Sequence, residues 1–438
     1  MFYAFWKVEY ALIMVVLTIV DFFAGKRIAA APTLRARRAW LAGSIAANLS
    51  MLFFFKYYNF GAAQVNELIA RSGLSGHVPL ADIVLPLGIS FHTFQAMSYT
   101  LDVYHKRVKP ENHLGYFALF IAYFPQIVAG PIERAGHLIH QLRQRASFSY
   151  AQARDGFLLI LIGFFKKLVI ADNLAVYVDR CYGSWEEVSG SSLLLATYAF
   201  AFQIYADFSG YTDIARGSAK LLGVDLAVNF RSPYLADGVA DFWRRWHISL
   251  TSWFRDYVYK PLRSTQAWGG RTAAVFIVFA LSGIWHGANW TFLVWGLLNA
   301  CFYLLNEALT ALFPRTLGMR ALKPLRIFLT FNLIAITWVF FRADSVTSAV
   351  GILTKIEEHY VFGLMAGRWV KDTLGYLNVG MLASLLLLVV EHFWHGSDAL
   401  RQRFAASTAA RWTAYLALFY STLLLGNLGA KQFIYFQF

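Results

Sequence analysis

Residues 273–304 read AAVFIVFALSGIWHGANWTFLVWGLLNACFYL and contain no Asp, Glu, Lys or Arg. A helix that crosses a bilayer needs about 20 mostly apolar residues. The stretch is therefore too long for one ordinary span, and the glycines at 283 and 287 favour a break inside it. We expect two membrane elements here, with His286 close to the point where they separate.

The composition extends this conclusion to the whole chain. Of its 438 residues, 58% are hydrophobic and only 15% are charged, and the mean hydropathy is +0.48. A soluble domain has about 45–50% apolar and about 25% charged residues. A core of this size cannot bury the excess, so lipid has to cover it. The sequence predicts a polytopic integral membrane protein.

Apolar runs long enough to enter the membrane recur along the chain. They predict an all-α fold of about ten to twelve membrane segments, some tilted or partial, in a single transmembrane domain over residues 1–438. The candidate segments are residues 5–24, 40–58, 83–103, 114–130, 155–178, 192–208, 273–304, 327–342, 378–395 and 411–429.

The net charge is +14, and the basic residues punctuate the apolar runs instead of forming one stripe. This distribution argues against nucleic-acid binding. The positive-inside rule places the basic loops 26–38, 105–109 and 315–326 in the cytoplasm. The same charge would also attract anionic membrane lipids or an anionic ligand such as coenzyme A. If residues 114–130 crossed the membrane fully, the basic residues within 131–153 would lie outside the cytoplasm, against the positive-inside rule. Re-entrant segments around residues 114–153 would avoid this conflict.

Residues 209–263 are too polar for a span and too aromatic for an ordinary loop. We expect short amphipathic helices that lie in the interface or re-enter the membrane. Helical spacing would place Trp243, Trp246 and His247 on one face and direct Arg245 elsewhere. An interfacial anchor would produce the same spacing, with its arginines on lipid phosphates.

His286 is the most conspicuous polar residue of the apolar runs. An ionisable group in a membrane segment is costly and is a functional candidate by default. A neutral imidazole can accept the proton of a hydroxyl that attacks a thioester, and Asn289 is a nearby polar group. A packed histidine bonded to a carbonyl would explain the residue equally well. The sequence shows no HExxH motif or other metal-ligand spacing near His286, so we predict no metal site.

The chain ends in an apolar, aromatic tail, residues 431–438, KQFIYFQF. Such a terminus would be unfavourable in water, and we expect it to insert into the membrane or a cavity. It would serve as an anchor, or it would place the Tyr435 hydroxyl where it can receive an acyl group.

Several of these segments, in this order, resemble the bacterial members of the membrane-bound O-acyltransferase (MBOAT) family. The similarity is greatest to the branch that O-acetylates polysaccharides such as alginate, cellulose and peptidoglycan. The matching segments are Phe55-Lys-Tyr-Tyr-Asn59, Leu85-Pro-Leu-Gly-Ile-Ser-Phe-His92, residues 124–134 FPQIVAGPIER, residues 205–213 YADFSGYTD, residues 241–250 DFWRRWHISL, Gly283-Ile-Trp-His-Gly287 and the tail.

The resemblance implies a ring of membrane helices around a thinned centre with a tunnel through it. It implies that cytosolic acetyl-CoA supplies the acyl group and that no other cofactor is needed. His286 matches the catalytic histidine of the family and His247 a second histidine that lines the tunnel, with Tyr435 as an acyl acceptor. Substrate contacts would come from neighbouring side chains, those of Trp246, Trp285, Asn289 and Arg245.

The resemblance also implies a multi-pass protein of the cell inner membrane that works with a periplasmic partner of the SGNH-hydrolase type. That partner would place the acetyl group on the polysaccharide acceptor. A transporter or export channel without acyl transfer is an alternative, although the sequence shows no repeated halves. A third possibility is an acyltransferase for a teichoic acid or lipid acceptor.

Overall fold

The computed structural model describes residues 8–264, 270–358, 368–429 and 433–434. These residues are mostly helical, and no β-strand occurs among them. The prediction of an all-α polytopic membrane protein is confirmed. The chain divides into two compact units, Met1–Ala153 with Ser218–Ala227, and Arg154–Gly217 with Val228–Phe438. The predicted single domain, and the predicted ring with its tunnel, stay predictions.

The first unit contains two long membrane helices and three shorter ones. They are α1 (Val8–Ala30), α2 (Leu34–Arg71), α3 (Ile89–Tyr104), α4 (Leu114–Ile121) and α5 (Ala135–Leu142). The buried carboxylate of Asp21 in α1 accepts hydrogen bonds from Ser44 (2.6 Å) and Asn48 (2.9 Å) in α2. Interhelical hydrogen bonds of this kind stabilise the association of membrane helices, because the hydrophobic effect does not drive helices together within lipid.

The second unit begins within a run of helix that includes a π-helical turn. Its elements up to residue 264 are α6 (Tyr150–Phe164), the π-turn (Phe165–Ala171), α7 (Asp172–Gly183), α8 (Gly190–Leu221), α9 (Val239–Arg245), α10 (Ile248–Phe254), a second π-helical turn (Arg255–Tyr259) and α11 (Lys260–Ser264). A short 3₁₀ helix (Pro233–Leu235) precedes α9.

The rest of the second unit consists of longer helices. They are α12 (Gly270–His286), α13 (Trp290–Leu312), α14 (Pro314–Gly318), α15 (Lys323–Arg342), α16 (Val346–Glu358), α17 (Arg368–Gly396), α18 (Asp398–Ala406) and α19 (Thr408–Leu425), with a 3₁₀ turn at Arg320–Leu322. Large aromatic side chains fill its core, and Trp295, Trp338 and Tyr205 are almost completely buried.

Five described stretches are long and apolar enough to cross a membrane: Val8–Ala30, Leu34–Arg71, Trp290–Leu312, Arg320–Arg342 and Leu374–Trp394. Helix α12 is apolar but shorter. The count of ten to twelve segments stays a prediction, whereas the multi-pass character is confirmed.

The structure shows where two of the predicted segments end. Residues 114–130 do not form a full span, as the distribution of basic residues indicated, because α4 ends at Ile121 and turns follow around Pro125, which has no amide hydrogen to donate. Residues 209–221 belong to α8 and not to the region of short helices, which begins only after them. Residues 233–264 do form the short helices that we predicted.

Candidate functional site

His286 is the last residue of α12 and is buried. Its imidazole lies edge-on to the indole of Trp295 and the ring of Phe341, with centroid distances of 5.1 Å and 5.2 Å. The neighbouring Trp285 ring lies 5.0 Å away. These three aromatic contacts restrict the orientation of the imidazole.

The predicted break in residues 273–304 is confirmed, and it lies between His286 and Trp290. Asn289 caps α13, because its Oδ1 accepts a hydrogen bond from the amide of Thr291 at 3.1 Å. Its side-chain nitrogen donates to the carbonyl oxygen of Asp344 at 2.9 Å. Asn289 therefore fixes the turn after His286, and its predicted contact with substrate stays a prediction.

Two glycines let α12 and α13 approach closely enough to form a hairpin. A Cβ atom at Gly283 would lie 2.2 Å from the carbonyl oxygen of Phe292. A Cβ atom at Gly296 would lie 2.3 Å from the carbonyl oxygen of Phe279. Small residues at such crossings are typical of closely packed membrane helices. The glycines thus position His286 against Trp295 of the facing helix.

His247 lies at a second break, between α9 and α10, and is almost completely buried. Its backbone adopts the left-handed conformation, with φ 42° and ψ 54°. A non-glycine residue in this region is uncommon, and strained positions of this kind cluster at functional sites. The ring lies 4.7 Å from the Phe208 ring of α8, centroid to centroid.

The prediction that Trp243, Trp246 and His247 share the face of one helix is wrong. Helix α9 ends at Arg245, and Trp246 is extended. Residues 229–231 pass across this break. The amide of Arg231 donates to the carbonyl of Arg245 (3.0 Å), and the amide of Ile248 donates to the carbonyl of Asn229 (2.9 Å). These bonds satisfy the backbone carbonyl of Arg245 and the backbone amide of Ile248, which would bond within the helix if it were unbroken.

Both histidines nevertheless line one cavity in the second unit. The cavity has a volume of about 50 Å³, which is small beside the roughly 300–1,000 Å³ of sites for drug-sized ligands. Its wall is mostly apolar, and among the described lining residues two hydroxyl groups are the polar side chains besides the imidazoles and indoles. The lining residues are Trp243, Trp246, His247, Leu250, Thr251, Phe254, Val278, Phe279, Ser282 and His286.

The remaining predicted residues lie in different settings. Trp246 lines the cavity, and Trp285 lies beside both imidazoles, 5.0 Å from His286 and 6.2 Å from His247. Arg245 forms an ion pair with Asp241 at 2.8 Å. Tyr435 lies outside the described residues. The roles predicted for these side chains stay predictions.

In the first unit, the buried Glu133 carboxylate lies 2.8 Å from Nδ1 of His137 and accepts a hydrogen bond from the amide of Ala227. The hydrogen bond from Glu133 raises the pKa of His137. The hydrogen bond from Ala227 to Glu133 connects the loop before α5 to residues 218–227 of the same unit.

The sequence did not suggest a role for Ser282 and Thr251, which line the cavity. It also did not draw attention to Lys167, which is buried. The two lining hydroxyl residues give no signal of their own, because serine and threonine are common in membrane helices. Lys167 could have been noticed as part of a Lys-Lys pair inside an apolar run, FFKKLVI, residues 164–170.

The left-handed backbone at His247 gives a testable prediction for stability. We expect His247→Gly to be more stable than His247→Ala by about 1 kcal/mol, because both variants lose the ring but only alanine keeps the cost of the left-handed conformation. Thermal unfolding of the two purified variants in the same detergent measures this difference. Equal or reversed stability would contradict the backbone conformation at this position.

Comparison with known proteins shows what the chain is similar to. The sequence profile of the MBOAT, membrane-bound O-acyltransferase family, matches residues 112–342. The probable alginate O-acetylase AlgI of Pseudomonas aeruginosa is 38% identical over 350 residues, which are 80% of this chain and 66% of that protein. The chain therefore spans about two thirds of the length of this relative.

Two further relatives are named for other activities. The peptidoglycan O-acetyltransferase of Helicobacter pylori is 30% identical over all of this chain and 89% of its own length. The teichoic acid D-alanyltransferase of Bacillus subtilis is 28% identical over 59% of this chain and 65% of its own length. The profile match includes both histidines of the cavity.

Proposed function

Since this chain belongs to the MBOAT family of membrane-bound O-acyltransferases, we propose that it moves an acetyl group from cytosolic acetyl-CoA across the cell inner membrane for O-acetylation of an extracytoplasmic polysaccharide such as alginate. The observation that carries the proposal is the cavity that His247 and His286 line together. The activities for which the relatives are named support an O-acyl transfer and a polysaccharide acceptor.

His286 acts as the general base in this proposal. Its imidazole accepts the proton of an acceptor hydroxyl while the hydroxyl oxygen attacks the thioester carbonyl. The new C–O bond forms, the C–S bond breaks, and the proton passes to the departing sulfur to give the thiol of coenzyme A. The contacts with Trp295 and Phe341 hold the ring in one orientation during both proton transfers.

The cavity wall explains why the reaction would favour transfer over hydrolysis. It is built mainly from tryptophan, phenylalanine and aliphatic side chains, which leave few partners for water. The acetyl end of the donor would enter this cavity, and basic loops would attract the phosphates of coenzyme A. His247 lies on the same wall and orients the reacting groups.

The tail residue Tyr435 supplies the first acceptor hydroxyl in this proposal. The acyl group would then leave the tyrosine ester for a periplasmic partner of the SGNH-hydrolase type, which places it on the polymer. Acetyl-CoA is a substrate in this scheme, and no resident cofactor takes part.

An acetyl-transfer assay separates this proposal from a transporter. Proteoliposomes that contain the purified chain receive acetyl-CoA labelled in the acetyl group, and label bound covalently to protein is measured over time. The proposal predicts label on the protein and stoichiometric release of free thiol. Labelled acetyl-CoA that crosses the membrane intact, with no thiol released, would contradict it and favour a transporter.

The relay through Tyr435 has its own prediction. We expect Tyr435→Phe to lower acetyl transfer to the polymer by at least about 100-fold, because the nucleophilic hydroxyl is lost. Comparison of O-acetyl content in polymer from cells that produce wild-type or variant chain checks this. Unchanged O-acetylation would remove the relay while leaving the role of His286 intact.

A further inference from the structure

A buried cluster of charges lies where the π-turn joins α7. The ammonium group of Lys167 forms ion pairs with Asp207 at 2.7 Å and with Asp172 at 2.9 Å. All three side chains are at most 7% exposed. Burying charges is costly even when they are paired, so a cluster of this kind calls for an explanation beyond stability.

The C-terminal segment binds to this cluster. The backbone amide of Ile434 donates a hydrogen bond to Oδ2 of Asp207 at 2.7 Å, and Ile434 is buried. The Lys167 ammonium lies over the Phe433 ring, 4.4 Å from its centroid. The Tyr211 ring meets Phe433 edge-on at 5.2 Å. Asp207 and Tyr211 are four residues apart in α8 and therefore share the face that receives the segment.

The chain just after α19 is bound at the same π-turn. The amide of Asn427 donates to the carbonyl of Leu168 at 3.0 Å, and the Asn427 side chain donates to the carbonyl of Asp172 at 3.2 Å. The Asn173 side chain donates to the carbonyl of Leu425 at 2.9 Å. A π-turn alters the hydrogen-bond register of its carbonyls, and such turns are frequent at functional sites.

This binding site is adjacent to the cavity along α8. Asp207 binds the tail, and the next residue, Phe208, packs its ring against His247 at 4.7 Å. One turn of α8 thus supports both the tail backbone and a histidine of the cavity wall. If the C-terminal segment bound Asp207 through a different backbone amide, residue 435 would be placed at a different position.

We propose that Asp207, held in place by Lys167, is a positioning residue that fixes the register of the C-terminal tail through the amide of Ile434. The inference rests on the proposed function, in which the Tyr435 hydroxyl has to meet the acyl donor in the same position in every cycle. The ammonium group of Lys167 orients the Asp207 carboxylate through the ion pair. It also makes a cation–π contact with the ring of Phe433. The second oxygen of Asp207 remains for the tail amide.

Hydrogen–deuterium exchange on the full-length protein tests the binding itself. Asp207→Ala removes the acceptor, and we expect the amide of Ile434 to exchange on the order of 10-fold to 100-fold faster, since a hydrogen bond to a charged group is lost. Asp213→Ala is the matched control. It breaks the neighbouring Lys166–Asp213 pair (2.7 Å) between the same two elements, and the tail is expected to stay protected.

Equal exchange at Ile434 in wild type and Asp207→Ala would overturn the proposal. Equal acceleration in both variants would also overturn it, because general loosening would then be the cause. The exchange measurement does not require acyl transfer, so a chain with a protected tail but no transferase activity would contradict only the proposed function.

A second pair of variants tests the consequence for catalysis. Ile434→Pro removes the amide donor and leaves Asp207 and Lys167 unchanged, whereas Ile434→Val keeps the donor. We expect Ile434→Pro to lower kcat for acetyl transfer about 10-fold or more with little change in KM for acetyl-CoA. Ile434→Val is expected to retain wild-type kcat. Equal kcat values for the two variants would show that the amide contact does not position the tail.

Discussion

Replacing His286 with glutamine is expected to lower kcat for acetyl transfer by about 10²–10⁴-fold, the usual range for loss of a general base. Glutamine has similar length and polarity but cannot accept the proton of the attacking hydroxyl. The substitution also removes the ring contacts with Trp295, Phe341 and Trp285, so membrane insertion and thermal unfolding are measured together with kcat. KM for acetyl-CoA is expected to change little, since the donor contacts remain.

His77→Gln is the matched control, because His77 is an exposed histidine of the first unit. It is expected to keep wild-type kcat and KM in the same proteoliposome assay. If His286→Gln kept at least half of the wild-type kcat while inserting normally into the membrane, His286 would not be the base.

Replacing Gly283 with valine is expected to have the largest effect on folding. Its Cβ would lie 2.2 Å from the carbonyl oxygen of Phe292 and 3.0 Å from the carbonyl carbon. These are backbone atoms of α13, so the two helices would have to move apart. Overpacking commonly costs about 1–3 kcal/mol, and a backbone clash at a helix crossing belongs at the upper end of that range or above. We expect little folded protein by size-exclusion chromatography in detergent.

Gly375→Ala provides the control, because nothing lies within 4 Å of a Cβ at that position in α17. Alanine there is expected to be neutral or to stabilise the helix slightly. Normal yield and melting temperature for Gly283→Val would mean that α12 and α13 do not pack as closely as described.

The sequence revealed the membrane class, the break beside His286 and the two histidines, since each depends on local composition. The break at His286 could be predicted because Gly283, Gly287 and Asn289 all lie within a few residues of it. The end of α4 at Ile121 could not, because the apolar letters of residues 114–130 do not mark where a helix gives way to turns.

The conformation of His247 was beyond sequence reasoning because its cause is distant along the chain. The segment at Asn229 and Arg231 supplies the hydrogen bonds that end α9 and start α10, and no local pattern encodes that crossing. The contact of Asp207 with Ile434 joins residues 227 positions apart. The apolar, aromatic sequence of the tail is unusual and could be recognised. The side chains that bind it could not be identified from the sequence, because they lie far away along the chain.

The cavity likewise arises from the meeting of two segments, residues 243–254 and 278–286. Each segment contains a histidine that the sequence marked as a candidate. Their arrangement on one wall depends on the α9–α10 break and the close α12–α13 crossing together.

Single-turnover mass spectrometry tests the role of His286 most directly. Purified wild-type and His286→Gln chains are mixed with a slight excess of acetyl-CoA, quenched at increasing times and digested, and the C-terminal peptide is weighed. We predict that the wild-type peptide gains the mass of one acetyl group at the rate of thiol release, whereas the His286→Gln peptide gains it at least about 100-fold more slowly. An acetylated peptide that forms equally fast in both chains would contradict the account.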